Sequence, residues 1–290
     1  LHKAIRRQRQ MCIRDSQKSV LYNFLKERFN IILKFRQAGI TELISMYCLW
    51  LAMYHSNKKI NIISIKDTIA KKVLKKIKFM YKNLPWYLQT PIINGRTGEY
   101  GSASTMEFSN GSIIESIPTS DQAGRSESLS LLVIDEAAIV RWAAQIWAAA
   151  FPTLSTGGSA IVNSTPFGVG GFYHSTWVDA ISGSNPFNPI RLYWQMHPDR
   201  DQNWYDEMAT ALGPKRTAQE IDGDFLSSGN TVFDLADIKS IEEMLTEYPP
   251  IKMRLGGQYR EFNEPDPNTD YFIGADCATC LLYTSDAADE

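Results

Sequence analysis

Lys34-Phe-Arg-Gln-Ala-Gly39-Ile-Thr41 stands between an apolar run, Phe29 to Leu33, and a stretch with apolar positions throughout, Glu42 to His55. In outline this is a buried strand, a tight loop and a helix. The common phosphate loop, G-x-x-x-x-G-K-[ST], uses glycines so that backbone N–H groups can wrap a phosphate, a lysine to neutralise it and a hydroxyl to hold Mg²⁺. Here Gly39 and Thr41 occupy the second-glycine and hydroxyl positions, Lys34 replaces the first glycine, and Ile40 stands where the lysine belongs. A lysine at the mouth of such a loop can fold over the phosphates. The backbone of Arg36, Gln37, Ala38, Gly39, Ile40 and Thr41, with the helix N-terminus behind it, supplies the remaining anion affinity. An ordinary strand-to-helix turn is the competing account of the loop taken alone.

A second cluster follows a second apolar run. Leu131 to Ile134 ends in Asp135-Glu136, the Walker B pattern. Asp135 would hold Mg²⁺ through water together with Thr41, and Glu136 would polarise an attacking water. Arg125 lies upstream in a polar Gly-Ser loop, DQAGRSES. A guanidinium there can neutralise charge that builds on a γ-phosphate; otherwise it is a solvated loop arginine. Asn163-Ser164-Thr165-Pro166-Phe167-Gly168 follows another short strand. Such a small polar cluster can sense the γ-phosphate by hydrogen bonding, or it is an ordinary strand-to-turn connection.

The intervening pattern sets the scaffold that must position these groups. Lys59 to Ile65 reads as a strand. Thr68 to Leu84 reads as an amphipathic helix, with Ile69, Val73, Ile77, Met80 and Leu84 at spacings of three and four. Asn110-Gly111 between Thr105–Phe108 and Ile113–Ile117 is a hairpin signal. Trp142 to Ala150 reads as helix and Ala160 to Asn163 as strand. Strands alternating with helices imply a mainly parallel α/β sheet covered on both faces, with ligands at the carboxyl ends of the strands. After Ser182 the texture changes. GSNPFNP reads as a linker; Asn203 to Leu212, Pro214 to Ile221 and Ala236 to Tyr248 read as helices of a small subdomain. Prolines at 249–250 and 265–267 mark a second linker, and Tyr271 to Ala275 is a last strand ending in Asp276.

The chain has 290 residues, 44% of them apolar, and a net charge of −2. That is enough for one large domain and part of another, and the balance of charge points to no particular partner. No apolar run is long enough for a membrane span. The two ends read as foreign. RRQRQMCIRDS, residues 6–16, can be written in codons whose reverse complement encodes CLLYTSDAADE, residues 280–290. The string resembles a sequencing-library adapter. Both segments, with the leader 1–5, are set aside from functional reasoning. Of the four cysteines, Cys12 and Cys280 fall in the excluded ends. Cys48 and Cys277 then form neither a disulfide framework nor a zinc pattern, which fits a reducing cytoplasm.

FRQAGIT, LLVIDEAA, NSTPFGVGGFYHSTW and TAQEIDGDFLSSGNTVF occur in this order, and together resemble the large terminase subunits of tailed double-stranded DNA phages. The resemblance covers essentially all of 17–279. It implies a P-loop RecA-like (ASCE) ATPase core over 17–183, a lid or linker subdomain over 184–262, and the truncated start of an RNase H-like nuclease over 263–279. It implies ATP and Mg²⁺ as cofactors, with ATP hydrolysis driving double-stranded DNA into a procapsid. It also implies a homo-oligomeric ring on a portal protein, a small terminase subunit as partner, and the bacterial host cytoplasm as location.

Mapped by motif, Gln17 resembles the family's adenine-contacting glutamine and Lys34 to Thr41 its Walker A in the variant where lysine opens the loop. Arg125 resembles a cis arginine finger, and Asp135 and Glu136 resemble Walker B and the catalytic glutamate. Ser164, Thr165 and Pro166 resemble the coupling motif. Asp276 resembles one carboxylate of a nuclease site that uses Mg²⁺ or Mn²⁺, whose partners this chain lacks. Ile40 departs from the family's more usual lysine and Glu42 from a frequent second hydroxyl, so the Walker A lysine role rests on Lys34 or Arg36. The rival account is a helicase-like ATPase that acts on nucleic acid without packaging it.

Lys71, Lys72, Lys75, Lys76 and Lys78 crowd one helix and could meet a phosphate backbone, or could simply be solvated. His55, His174 and His197 show no ligand spacing.

Overall fold

The computed structural model describes residues 14–95, 100–120, 128–225, 252–254, 259–261 and 264. The chain divides into two compact units, Leu1–Thr231 and Val232–Glu290. In the first, α1 (Asp15–Lys26) leads into β1 (Phe29–Leu33), α2 (Ile40–Tyr54), β2 (Lys59–Ile63) and α3 (Asp67–Lys82). A hairpin of β3 (Thr105–Glu107) and β4 (Ile113–Ser116) follows. Next come β5 (Leu131–Asp135), α4 (Ala143–Ala150), β6 (Ser159–Ser164), α5 (Gly171–Ser182) and β7 (Asn188–Arg191). The unit ends in α6 (Gln202–Leu212), a single turn α7 (Pro214–Thr217) and one π-turn, Ala218–Asp222. In the second unit the described residues include a two-stranded antiparallel hairpin, β8 (Lys252–Arg254) and β9 (Tyr259–Glu261).

Seven strands form one sheet in the order β3-β4-β2-β5-β6-β1-β7. Every neighbouring pair is parallel except the β3–β4 hairpin. β1 and β5 are buried along their whole length, as expected of strands covered on both faces. Alternate residues go to different cores. Ile32, Ile60, Ile62, Val133 and Ile161 pack under α1, α2 and α3. Ile31, Leu33, Ile63, Leu132, Ile134 and Val162 pack under α4 and α5. The crossover order puts β1 between β6 and β7 and β5 between β2 and β6, so the loops after β1, β5 and β6 open on the same edge.

The sheet takes a further strand from beyond the expected core boundary at residue 183. Asn188–Arg191, whose first two residues close the stretch GSNPFNP that reads as linker, pairs in parallel with β1 from Asn30↔Asn188 to Leu33↔Arg191. Its composition hides it: Pro189 lacks a backbone donor and is tolerated because β7 is an edge strand. The helix expected over 214–221 is present, with one α-turn running directly into the π-turn. Asp15 and Ser16, from the segment excluded as adapter read-through, form the first residues of α1. The expected helix 236–248 and strand 271–275 lie outside the described residues. Among those described, no helix is long and apolar enough to cross a membrane.

Candidate active site

The loop between β1 and α2 is built from two left-handed residues and one buried cation. Gln37 and Gly39 have φ of 64° and 77°. At Gly39 the backbone conformation favours glycine, and a Cβ there would fall 2.6 Å from the side-chain nitrogen of Gln17 and displace that side chain. Gln17 itself, on α1, donates to the Gly39 carbonyl at 3.3 Å. Ala38 and Ile40 are buried. Ile40 therefore spends its side chain in the core, and the charge that the common loop carries at this position comes from elsewhere.

The buried cation of this loop is Lys34. Its backbone N–H donates to the Ser164 carbonyl at 3.0 Å, which anchors the end of β1 to β6. Its side chain is almost wholly buried, and Nζ donates to Glu136 Oε1 at 2.6 Å. Arg36 goes the other way. Its guanidinium is exposed and pairs with Glu220 Oε1 at 2.9 Å, while its N–H donates to the Glu220 carbonyl at 2.7 Å.

Glu136 begins the turn after β5 with φ 56° and ψ 44°. A non-glycine residue in this region stores strain of about 1–3 kcal/mol and persists where the surroundings over-determine it. Asp135, one residue earlier, is buried. It accepts from Asn163 Nδ2 at 2.7 Å and from Thr41 Oγ1 at 3.4 Å. Burial raises the Asp135 carboxyl above its ordinary range and the neighbouring Glu136 adds to this. The Lys34 charge and the bonds from Asn163 and Thr41 oppose it.

Ser164 ties the cluster to the rest of the fold. Its Oγ accepts from the Ala138 N–H at 3.2 Å. Tyr173, buried on α5, donates to the carbonyl of Ile32 at 2.7 Å and lies 3.4 Å from that of Ser164. Thr165 and Pro166 are buried beside it. The structure thus brings together Gln17, the loop 34–41, Asp135, Glu136 and Ser164. Arg125 and Asp276 lie outside the described residues.

Two residues, Arg200 and Glu220, gain a place here that the sequence does not assign, and Asn163, read in sequence only as part of the polar cluster 163–168, gains a partner in Asp135. Asn163 is a buried amide whose Oδ1 has no partner; its only signal is a polar residue at the end of an apolar strand. Arg200 donates to the Arg36 carbonyl and to Gln37 Oε1, each at 3.3 Å. Its guanidinium lies 4.2 Å from the Trp204 ring centroid and 4.8 Å from that of Phe35. Glu220 closes the same side through Arg36. Both contacts span more than 160 residues of sequence, and no local pattern announces them. Beside the loop, Arg36, Gln37, Arg200, Trp204, Arg216 and Glu220 line a cavity of about 510 Å³.

Residues 31–240 match the family model described as the N-terminal part of the T4-like terminase large subunit. The chain belongs to the large terminase family. The solved ATPase domain of the large terminase of Thermus phage P74-26 is similar over 69% of this chain and 89% of that one, with 20% identity and a TM-score of 0.53. The large terminase of a thermophilic bacteriophage, solved in complex with ADP, is similar over 73% of this chain with 14% identity and a TM-score of 0.59. That of bacteriophage HK97 is similar over 87% with 17% identity and a TM-score of 0.51. This chain covers 53% and 50% of those two large terminases. At these identities the likeness speaks to the fold, which is that of terminase ATPase domains. Membership of the family rests on the family match.

Proposed function

We propose that this chain is the ATP-hydrolysing motor part of a large terminase, which moves double-stranded viral DNA into a procapsid. The observation that carries the reading is the convergence of Lys34, Thr41, Asp135 and Glu136 on the edge where the phosphate loop meets the end of β5. Solved relatives in complex with ADP and with ATP-γ-S support nucleotide binding.

The donor set fits Mg²⁺. Thr41 and Asp135 present hard oxygen ligands 3.4 Å apart, and the unpartnered Asn163 Oδ1 lies on the residue that fixes Asp135. Among the described residues no group of three or more acids, histidines or cysteines gathers. This suits an ion bound largely through substrate phosphates and water. Mg²⁺, when bound, neutralises phosphate charge. The chain's own residues do the rest. The N–H groups of the first turn of α2, which have no intrahelical partners, cradle phosphate oxygens. Lys34 and Arg125 oppose the negative charge that develops there. Glu136 orients a water and takes its proton. Ser164, Thr165 and Pro166, tied through Ser164 to the ends of β1 and β5, couple loss of phosphate to movement of bound DNA. Gln17 and the cavity beside the loop would take the base and sugar.

The whole protein would also carry a metal-dependent nuclease to which Asp276 contributes, and would assemble as a ring with a portal and a small subunit in the host cytoplasm. The motor reading is tested by phosphate release from the purified chain with Mg²⁺ and duplex DNA. Turnover that depends on Glu136 is expected; turnover unchanged in Glu136→Gln would sink the mechanism.

A further inference from the structure

The lysines of α3 divide by environment. The helix buries Ala70, Val73, Leu74, Ile77 and Tyr81. On its flanks, Lys71 pairs with Asp67 at 2.6 Å, Lys76 pairs with Glu42 at 2.8 Å, and Lys78 donates to the Ser102 carbonyl. Lys72, Lys75 and Lys82 are exposed and have no partner among the described residues. At 100° per residue these three and the exposed Phe79 share an arc of about 80° on the outer face of the helix. No carboxylate lies on that arc.

The row ends in aromatic groups. Beyond Lys82 the chain turns through Trp86–Leu88. Trp86 is 82% exposed and Tyr87 69%, with Phe79 at 68%. Large rings left in water beside unpaired ammonium groups mark a surface that meets something. The charge row selects a polyanion. Lys72 and Lys82 are separated by about 15 Å of helix rise, which matches roughly four phosphates of one DNA strand at about 3.4 Å of axial rise each.

We propose that the outer face of α3, with Trp86 and Tyr87, docks the backbone of duplex DNA. The lysines meet phosphates along one strand, and the rings lie against sugars and the groove wall. The proposal rests on the motor reading above and locates where that motor holds its track. It also supplies a route to the nucleotide site. α3 packs against α2, the helix that starts in the phosphate loop, through a shared core that includes Val73, Leu74, Ile77, Leu43 and Ile44. The Lys76–Glu42 pair beside Thr41 is about half exposed and adds little. The packed core, not the ion pair, makes the two helices move together.

The test is fluorescence anisotropy of a labelled random-sequence duplex with the whole chain, over a range of KCl. Three phosphate contacts predict a contribution of about 2.7 to the slope of log affinity against log salt. Between about 50 and about 200 mM this amounts to about 40-fold in affinity. The triple variant Lys72→Gln, Lys75→Gln, Lys82→Gln is expected to lose that contribution. The charge-matched variant Lys71→Gln, Lys76→Gln, Lys78→Gln is expected to keep most of it. Trp86→Ala with Tyr87→Ala should weaken binding without changing the slope. Equal losses in the two triple variants would reduce the effect to net charge and overturn the proposal. So would an unchanged slope in the first, which would leave an acidic protein surface as the occupant. DNA-free ATP turnover in each variant separates this from the motor reading. Turnover kept with the slope unchanged removes only the docking surface. A wild type that binds duplex through these lysines but hydrolyses no ATP removes the motor reading and leaves the surface.

Discussion

Lys34 Nζ donates to Glu136 Oε1 across 2.6 Å, joining the mouth of the proposed phosphate loop to the residue proposed to activate water. The ammonium is nearly buried and the carboxylate about a quarter exposed, so the pair shields the acid until another anion competes for the lysine. An incoming triphosphate is such an anion. Glu136→Gln removes the competing charge but keeps an acceptor. It is therefore expected to bind nucleotide at least as tightly as the wild type while turnover falls by about 10²–10⁴-fold, the usual contribution of a general base. Titration with a fluorescent ATP analogue beside a phosphate-release assay checks both halves. Weaker nucleotide binding in the variant would argue against the shielding role.

The two candidates for the Walker A lysine role separate cleanly in space, and so should their variants. Lys34→Ala removes a buried charge from the centre of the cluster and is expected to cost about 100-fold or more in turnover. Arg36→Ala breaks an ion pair whose cation is exposed, worth about 0–1 kcal/mol, and should leave turnover within a few-fold. Steady-state kinetics of both variants decide the matter; the reverse order of effects would return the role to Arg36.

The parts of this site that lie next to one another in sequence were legible there. The loop 34–41 and the acid pair 135–136 announce themselves because a strand, a turn and a helix each leave a local pattern. Strand alternation, the hairpin at Asn110-Gly111 and the helices over 40–54 and 67–82 followed for the same reason. What stayed hidden is long-range. Nothing near Arg36 says that its side chain meets Glu220 and leaves the buried position to Lys34. β7 was masked because its first two residues read as linker, and becomes a strand because β1 offers it a free edge. The burial of Ile40 explains afterwards why the loop tolerates an apolar residue at the usual lysine position. The lysines of α3 were visible as a group, but which of them are already paired is a property of the fold.

Asn163 should matter twice. Its amide donates to a buried carboxylate at 2.7 Å, and hydrogen bonds to charged groups contribute about 1.5–3 kcal/mol. Asn163→Leu is expected to destabilise the nucleotide-free protein by about 2 kcal/mol, several degrees in melting temperature, and to reduce turnover as well. Asp135→Asn should move the two readouts apart. Burial raises the Asp135 carboxyl, so its stabilising contribution is present below the ordinary carboxylate range and is lost as pH rises through its raised value. At neutral pH the neutral isostere is then the more stable protein, yet it should hydrolyse no ATP. Thermal melts at pH 7 would count against this account if Asp135→Asn melted lower than the wild type.

Cys48 offers a readout of the phosphate-loop helix that needs no turnover at all. It lies fully buried on α2, and burial pushes its thiol up to about 12, so the native protein presents no thiolate to a labelling reagent at pH 8. With Cys12, Cys277 and Cys280 replaced by serine, labelling must wait for α2 to open. A ligand that binds only the closed form suppresses that opening by mass action, about 2.7 kcal/mol at a hundred times its Kd, or about 100-fold in rate. ATP with Mg²⁺ is expected to slow Cys48 labelling by that factor, and the Lys34→Ala variant to lose most of the protection. Rapid labelling of the native protein, or protection by ATP that survives Lys34→Ala, would show that α2 and Lys34 do not form the nucleotide's cradle.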